Sequence, residues 1–175
     1  MKSFKKNNSS MKDIEKEGLL NSFLTFKLSN ELFAVDVARV IEILEVPKIT
    51  AVPRSPDYLK GVINLRGNVL PLLDTRVKFK MKETEMTVDT CIVVLEITIE
   101  EEVVVLGALV DAVNEVIELS PSDIKPAPSI GSTYHPDFIE GVVRFEEDFI
   151  MLLNIGKVFS IDDLNLMTEI VTNNN

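Results

Sequence analysis

His135 is the single histidine and Cys91 the single cysteine of the chain, so the residue types that hold metals or carry nucleophilic catalysis occur one at a time. A structural metal site needs several such ligands, and an activated nucleophile needs a base aimed at it. His135 stands in STYHPDF, just before a Pro-Asp pair, where a capping or surface role is the simpler reading. Cys91 lies in TCIVV, an apolar setting that points to a buried thiol, and with no second cysteine an internal disulfide is excluded. Gly61, Gly67, Gly107, Gly131, Gly141 and Gly156 are scattered, with no GxGxxG and no GxxxxGK[ST], so no phosphate-cradling loop is read. Acidic clusters at 100–102, 146–148 and 162–163 could be imagined as glycosidase-type pairs, but they fall in predicted turns or near the C-terminus, where solvation suffices. No catalytic, metal-binding or cofactor-binding set emerges, and the chain is read as a non-enzyme that needs no cofactor.

The unexplained residue is Arg66, in GVINLRGNVLPLLDTR (61–76). It sits with Gly67 and Asn68 between two apolar runs, where a turn glycine takes a positive φ and the arginine projects outward. Two readings stay open on the residues alone: an exposed turn arginine, or an interface anchor whose planar fork of donors stands beside an apolar rim.

The elements that would position Arg66 come from the pattern around it. Residues 1–20 are rich in Lys, Asn and Ser and read as a mobile tail, with a transient helix near 11–17. SFLTFKL and ELFAVDV alternate apolar and polar residues about Ser29-Asn30-Glu31 and predict a β-hairpin. Asp36 can cap one helical turn, after which VIEILEV returns to strand composition. SPDYLKG (55–61) has an N-cap residue, a first-turn proline and a closing glycine, which predicts a helix of one to two turns. Runs at 87–99 and 103–110 predict two strands with a charged hairpin tip. Residues 161–175 form a C-terminal tail with room for a short helix.

The chain also repeats itself. Residues 56–79 align without a gap on residues 136–159, with identities at Pro56/Pro136, Asp57/Asp137, Gly61/Gly141, Val62/Val142, Leu72/Leu152, Leu73/Leu153 and Phe79/Phe159. VARVIEIL (37–44) matches VNEVIELS (113–120) more weakly. Two copies of a strand-rich unit of about five strands predict an all-β domain over 21–160, with two small barrels sharing a core and a binding groove at their seam. Arg66-Gly67-Asn68 is replaced by Glu146-Glu147-Asp148 in the second copy, so turn geometry alone does not demand the arginine.

Composition narrows the partners. A net charge of −10 argues against nucleic acid, and no apolar run is long enough to span a bilayer. No signal peptide is read in the first residues, so the expected location is cytoplasmic, without membrane insertion. Residues 1–90 carry 15 basic and 12 acidic side chains and residues 91–175 carry 3 and 16, an asymmetry suited to oriented encounters with other proteins.

FLTFKLSNELFAVDVARVIEIL, ITAVPRSPDYLKGVINLRGNVLPLLDTRVKF, LGALVDAVNEVIELSPSDIKPAP and YHPDFIEGVVRFEEDFIMLLNIGKVF occur in that order, and together they resemble the CheW family of chemotaxis coupling proteins. The resemblance implies two five-stranded SH3-like barrels and a non-enzymatic adaptor, monomeric when free. It would link the cytoplasmic tip of a chemoreceptor, in signalling arrays at the membrane, to the regulatory domain of the histidine kinase CheA. Matched position by position, it implies receptor contacts at Leu24, Val37, Val40, Arg66 and Val69. The implied kinase contacts are Ile49, Thr50 and Gly61 on one barrel, and Lys125 and Ile130 on the other, where many relatives carry arginine and an aromatic. Service in a non-flagellar chemosensory pathway, or a phosphate-accepting signalling domain, are the alternative readings.

Overall fold

The alternation of SFLTFKL and ELFAVDV becomes an antiparallel hairpin in the computed structural model, which describes residues 21–127 and 137–174. Strands β1 (Asn21–Leu28) and β2 (Glu31–Asp36) pair with Phe26 opposite Phe33. Leu24, Phe26 and Leu28 enter one apolar cluster and Phe23 another, so β1 is buried on both faces. Asp36 Oδ1 accepts from the Ala38 N–H at 2.9 Å and caps a 3-10 turn over Val37–Arg39, as its residue type predicts. Strand β3 (Val40–Glu45) follows.

The helix expected over 55–61 does not form. Leu59 N donates to Pro56 O at 3.1 Å, closing a single turn, and Leu59 already begins β4 (Leu59–Leu65). Ser55 directs its hydroxyl to the Val52 carbonyl at 2.8 Å instead of to helical N–H groups. The Asp74 N–H, bonded to Tyr58 O at 2.8 Å, holds the segment extended.

Strand β5 (Asn68–Asp74) leads into a single helical turn, α1 (Thr75–Lys78). The next strand, β6 (Cys91–Ile99), starts four residues later than its composition predicts, because Thr87 N donates to Thr90 Oγ1 at 2.8 Å and curls residues 87–90 into a turn. Strands β7 (Glu102–Val110), β8 (Ala112–Leu119), β9 (Ile139–Phe145) and β10 (Asp148–Leu153) complete the set, followed by α2 (Ile155–Val158) and α3 (Ile161–Asn174).

Two five-stranded sheets result, as the repeat and the resemblance imply, ordered β3-β6-β7-β5-β4 (barrel 1) and β8-β1-β2-β10-β9 (barrel 2). The repeat units do not map one to a barrel, however. Hairpin β1-β2 joins barrel 2 through a parallel pairing of β2 with β10, and β6-β7 joins barrel 1 through a parallel pairing of β7 with β5. The crossings fall at two connections: one residue, Asp111, separates β7 from β8, and the capped 3-10 turn Val37–Arg39 separates β2 from β3. At both places the chain passes from one sheet to the other instead of folding back as a hairpin.

Alternation along the strands fills three apolar clusters. Ile63, Leu70, Leu72, Ile92, Val94 and Leu109 pack inside barrel 1, and Phe23, Ala34, Ile117, Val143, Ile150 and Leu152 inside barrel 2. The opposite faces of the same strands, with Leu28, Phe33, Val93, Ile97 and Leu106, form the shared core between the barrels. The C-terminal stretch expected as a tail is a 14-residue helix that buries Leu164, Met167 and Ile170 in that shared core. Its start is a reciprocal cap, with Ser160 N donating to Asp163 Oδ2 at 2.9 Å and Asp163 N to Ser160 Oγ at 3.1 Å. Among the described residues no helix is long and apolar enough to cross a membrane.

Candidate docking surface

Each barrel is closed by one short bridge at its open edge. Thr50, downstream of β3, exchanges two backbone hydrogen bonds with Val62 of β4, at 2.8 and 2.9 Å, and Lys125 does the same with Val142 of β9. The recurring glycines belong to these bridges. A Cβ on Gly61 would lie 2.3 Å from Thr50 O and 2.9 Å from Ile49 Cγ2, and one on Gly141 would lie 2.9 Å from Lys125 O. Gly61 also takes φ +152°, a backbone that favours glycine. Three of the expected kinase-facing residues, Ile49, Thr50 and Gly61, thus form one feature on barrel 1, and Lys125 holds the equivalent place on barrel 2. Ile130 and His135 lie outside the described residues.

The Arg66 hairpin is tighter than expected. Its turn is Arg66-Gly67, with φ of 51° and 86°, and Asn68 already pairs with Leu65. Asn64 Oδ1 accepts from Gly67 N at 2.8 Å and stiffens the turn. From it Arg66 reaches to β3, donating to Glu42 Oε1 at 2.7 Å and Oε2 at 2.8 Å in a two-pronged pair. The guanidinium side chain remains 72% exposed and Glu42 23%. That hydrogen bonding, aided by charge attraction and opposed by burial, holds the Glu42 carboxyl below its ordinary range. The pair spans the gap between β3 and the β4-β5 hairpin where no backbone ladder joins them.

Elsewhere in the same stretch the polar residues serve the fold. Asp74, fully buried, accepts from Thr84 Oγ1 at 2.7 Å, Thr84 N at 3.1 Å and Val77 N at 3.3 Å. Arg76 Nε donates to Asp111 Oδ1 at 2.8 Å, while Asp111 Oδ2 accepts from Ser29 N at 2.6 Å. This clamps β1-β2 of barrel 2 to α1 of barrel 1 at a chain crossing.

The five residues expected to face a receptor do not share one environment. Leu24 is buried at 4% exposure in the shared core, with Val37 and Val40 half-buried against it. Val69 lies on the other side of the hairpin, in a groove of about 440 Å³ walled by Met167 and Val171 of α3, with Arg66 at its mouth. The sequence reading missed Ile41 and Ile43, which flank Glu42 on β3 and are 49% and 46% exposed. Their signal was the VIEILE alternation, whose β-bulge between Val40 and Glu42 turns both isoleucines outward. As β3 ends its sheet, the strand presents two apolar side chains about a fixed ion pair, on an edge that usually serves association.

A family model described as a CheW-like domain matches residues 22–163. The chain belongs to this CheW-like family. Among its relatives, the chemotaxis protein CheW of Klebsiella aerogenes is 32% identical over 148 residues, covering 85% of this chain and 87% of that protein. That of Rhizobium meliloti is 37% identical over 136 residues, covering 78% and 85%. The crystal structure of the scaffolding protein TtCheW from Thermoanaerobacter tengcongensis superposes with a TM-score of 0.71 at 28% identity, over 83% of this chain and 91% of that one. The CheW-like fold of two curled five-stranded sheets is therefore the fold of this chain, and its relatives are chemotaxis and scaffolding proteins.

Proposed function

We propose that this chain is a non-enzymatic adaptor that couples the cytoplasmic tip of a chemoreceptor to the histidine kinase CheA. The observation that carries the reading is the β3 edge: Ile41 and Ile43 stand exposed about Glu42, and the Arg66 fork fixes that carboxylate from an otherwise solvent-exposed turn. A helical hairpin offers the complementary chemistry, an apolar face for the isoleucines with polar side chains to share the ion pair. The kinase meets the bridges that close the barrels, at Ile49, Thr50 and Gly61 on barrel 1 and at Lys125 on barrel 2, with Ile130, outside the described residues, as the remaining contact that the family resemblance implies. Held at two such surfaces, receptor and kinase share one assembly, and a conformational bias in the first shifts the second.

Reconstitution of receptor fragments, kinase and this chain tests the reading. Kinase autophosphorylation should rise when the chain is added to receptor and kinase. Arg66→Glu should weaken receptor binding about tenfold, the scale of an interface anchor, while its urea midpoint stays near that of the unmodified chain. A folded Arg66→Glu protein with undiminished binding and activation would overturn the assignment.

A further inference from the structure

The two barrels differ most at the outer face of their second hairpins. On barrel 1 this face of β5 runs from Leu73, in the shared core, out to Val69, where Met167 and Val171 of α3 wall the groove above it. On barrel 2 the matching face of β10 runs from Leu153 through Met151 to Phe149. Leu153 is buried and Met151 packs against the shared core, but Phe149 is 62% exposed. An apolar surface therefore leaves the core and ends uncovered at an aromatic ring. Its polar surroundings differ too. Val103 and Val104 of the neighbouring β7 line the groove at Val69, whereas the parallel register of Ile150 with Leu32 sets exposed Glu31 beside Phe149. The tip of this hairpin is Glu146-Glu147-Asp148, all exposed, where barrel 1 has Arg66-Gly67-Asn68. Arg144 pairs with Phe149 across the hairpin.

We propose that the Phe149 face of barrel 2 is a docking surface for a basic amphipathic helix of a partner protein. Its apolar stripe lies on Phe149, and its lysine or arginine side chains reach Glu31, Glu146, Glu147 and Asp148. Barrel 1 sets the form of the occupant. There the equivalent face is covered by an amphipathic helix, whose Leu164, Met167, Ile170 and Val171, three or four positions apart, turn to the core and the groove. The carboxylates set its charge, because a group of them about one ring attracts cations and repels anionic surfaces such as nucleic acid or acidic lipid. The same charge excludes α3 of a second copy, whose charged side chains are Asp162, Asp163 and Glu169. Lysine and arginine suit the rim, since their apolar stems lie along the ring while the charged ends reach the carboxylates. A helix seated in this way is read by apolar anchors on one stripe, with charge fixing its direction. The face shares no residue with the β3 edge or with the bridges at Thr50 and Lys125, so it is a further surface and not part of either.

Titration of the isotope-labelled, full-length protein with a helical peptide of leucine and lysine, LKKLLKLLKKLLKL, reads the contact through backbone amide shifts. The equivalent hairpin of barrel 1, residues 64–71, is the internal control. Shifts at residues 144–151 should exceed those at 64–71 by at least about threefold, the preference that one exposed ion pair can give. Phe149→Ser should weaken the peptide about tenfold, the scale of an interface anchor, and leave the fold in place because the ring is exposed. Glu146→Gln/Glu147→Gln/Asp148→Asn should weaken it by about threefold or more, as should about 1 M salt, where the screening length is near 3 Å. The acidic twin, LEELLELLEELLEL, should leave residues 144–151 unmoved. Shifts that are equal at the two hairpins, or centred elsewhere, overturn the proposal. So does undiminished affinity in either variant, or binding of the acidic twin at 144–151, and absence of shifts throughout the titration overturns it equally. Should Phe149→Ser unfold, the triple variant, which changes only exposed side chains of the tip, carries the test.

Discussion

Replacing Gly61 by alanine places a Cβ 2.3 Å from the Thr50 carbonyl oxygen, which is backbone, and 2.9 Å from Ile49 Cγ2. A carbon–oxygen contact settles near 3.3 Å, so the two segments must part by about 1 Å. The hydrogen bonds Thr50 N to Val62 O and Val62 N to Thr50 O, at 2.9 and 2.8 Å, cannot both survive that shift, and each contributes about 1 kcal/mol. Holding alanine at φ +152° adds about 1 kcal/mol of strain. The expected loss is about 3 kcal/mol, a large part of the roughly 5–15 kcal/mol that holds a domain folded. Urea unfolding followed by circular dichroism measures it, and native-state amide exchange locates it, since Thr50 and Val62 should lose protection before the rest of barrel 1. Gly141→Ala is the matched control. Its Cβ meets the Ile124 side chain at 2.5 Å and Lys125 O at 2.9 Å, so a rotamer change relieves part of the clash and the loss should be smaller. A Gly61→Ala protein within about 0.5 kcal/mol of the unmodified chain, or one that loses stability while keeping protection at Thr50 and Val62, would refute the closure argument. The result also governs how a test of the proposed kinase contact is read: weaker binding by Gly61→Ala would then report an opened barrel, and Thr50→Ala, which leaves the backbone bridge in place, becomes the cleaner probe of contact.

Arg76→Met should lower stability by about 2 kcal/mol, because it leaves the Asp111 carboxylate partly buried without its cation. Asp111→Asn on top of Arg76→Met should recover part of that loss in urea unfolding, and a strictly additive double variant would contradict the pairing. Acid should loosen α3. Burial pushes the Asp163 carboxyl upward, but hydrogen bonds from Lys78, Tyr58 and the Ser160 N–H overcome it and hold the pKa at about 2, below the ordinary 3.8. A depressed carboxyl stabilises the fold above its unfolded pKa and loses that contribution as pH falls through the folded one, so up to about 2 kcal/mol should disappear between pH 4 and 2. The gap in urea midpoint between the unmodified chain and Asp163→Asn should close over that window, and a gap independent of pH would argue against the role of the ion.

What the sequence disclosed depended on how local the cause is. Strands β1 and β2 were readable from their alternation about a turn, β6 and β7 because burial on both faces favours long apolar runs, and Asp36 because a cap acts on a residue two positions away. SPDYLKG misled for a reason in the chemistry of glycine. The same residue that ends a helix also permits close approach of two backbones, and only Thr50, eleven residues upstream, decides which applies to Gly61. The crossing of the hairpins was hidden more deeply. β1-β2 and β6-β7 present apolar residues on both faces, so either could complete either barrel, and the choice appears only in the long-range parallel pairings of β2 with β10 and β7 with β5. Ile41 and Ile43 stayed unmarked because the bulge that exposes them is a property of pairing with β6.

The recurrence that revealed the fold also separates structure from site. Gly61 and Gly141 recur because both barrels must close against a neighbouring backbone, and Asp74 and Arg76 are accounted for by a buried cap and an inter-barrel clamp. Arg66 does not recur, and its partner shows why the difference matters. The residue that matches Glu42 in the second copy is Glu118, and the one that matches Arg66 is Glu146, so barrel 2 has two carboxylates where barrel 1 has an ion pair. The fold tolerates both states, since both barrels are closed by their backbone bridges regardless of that charge. Barrel closure therefore does not require the arginine. What the arginine adds is a fixed donor fork on an apolar edge, while the barrel itself stays the same.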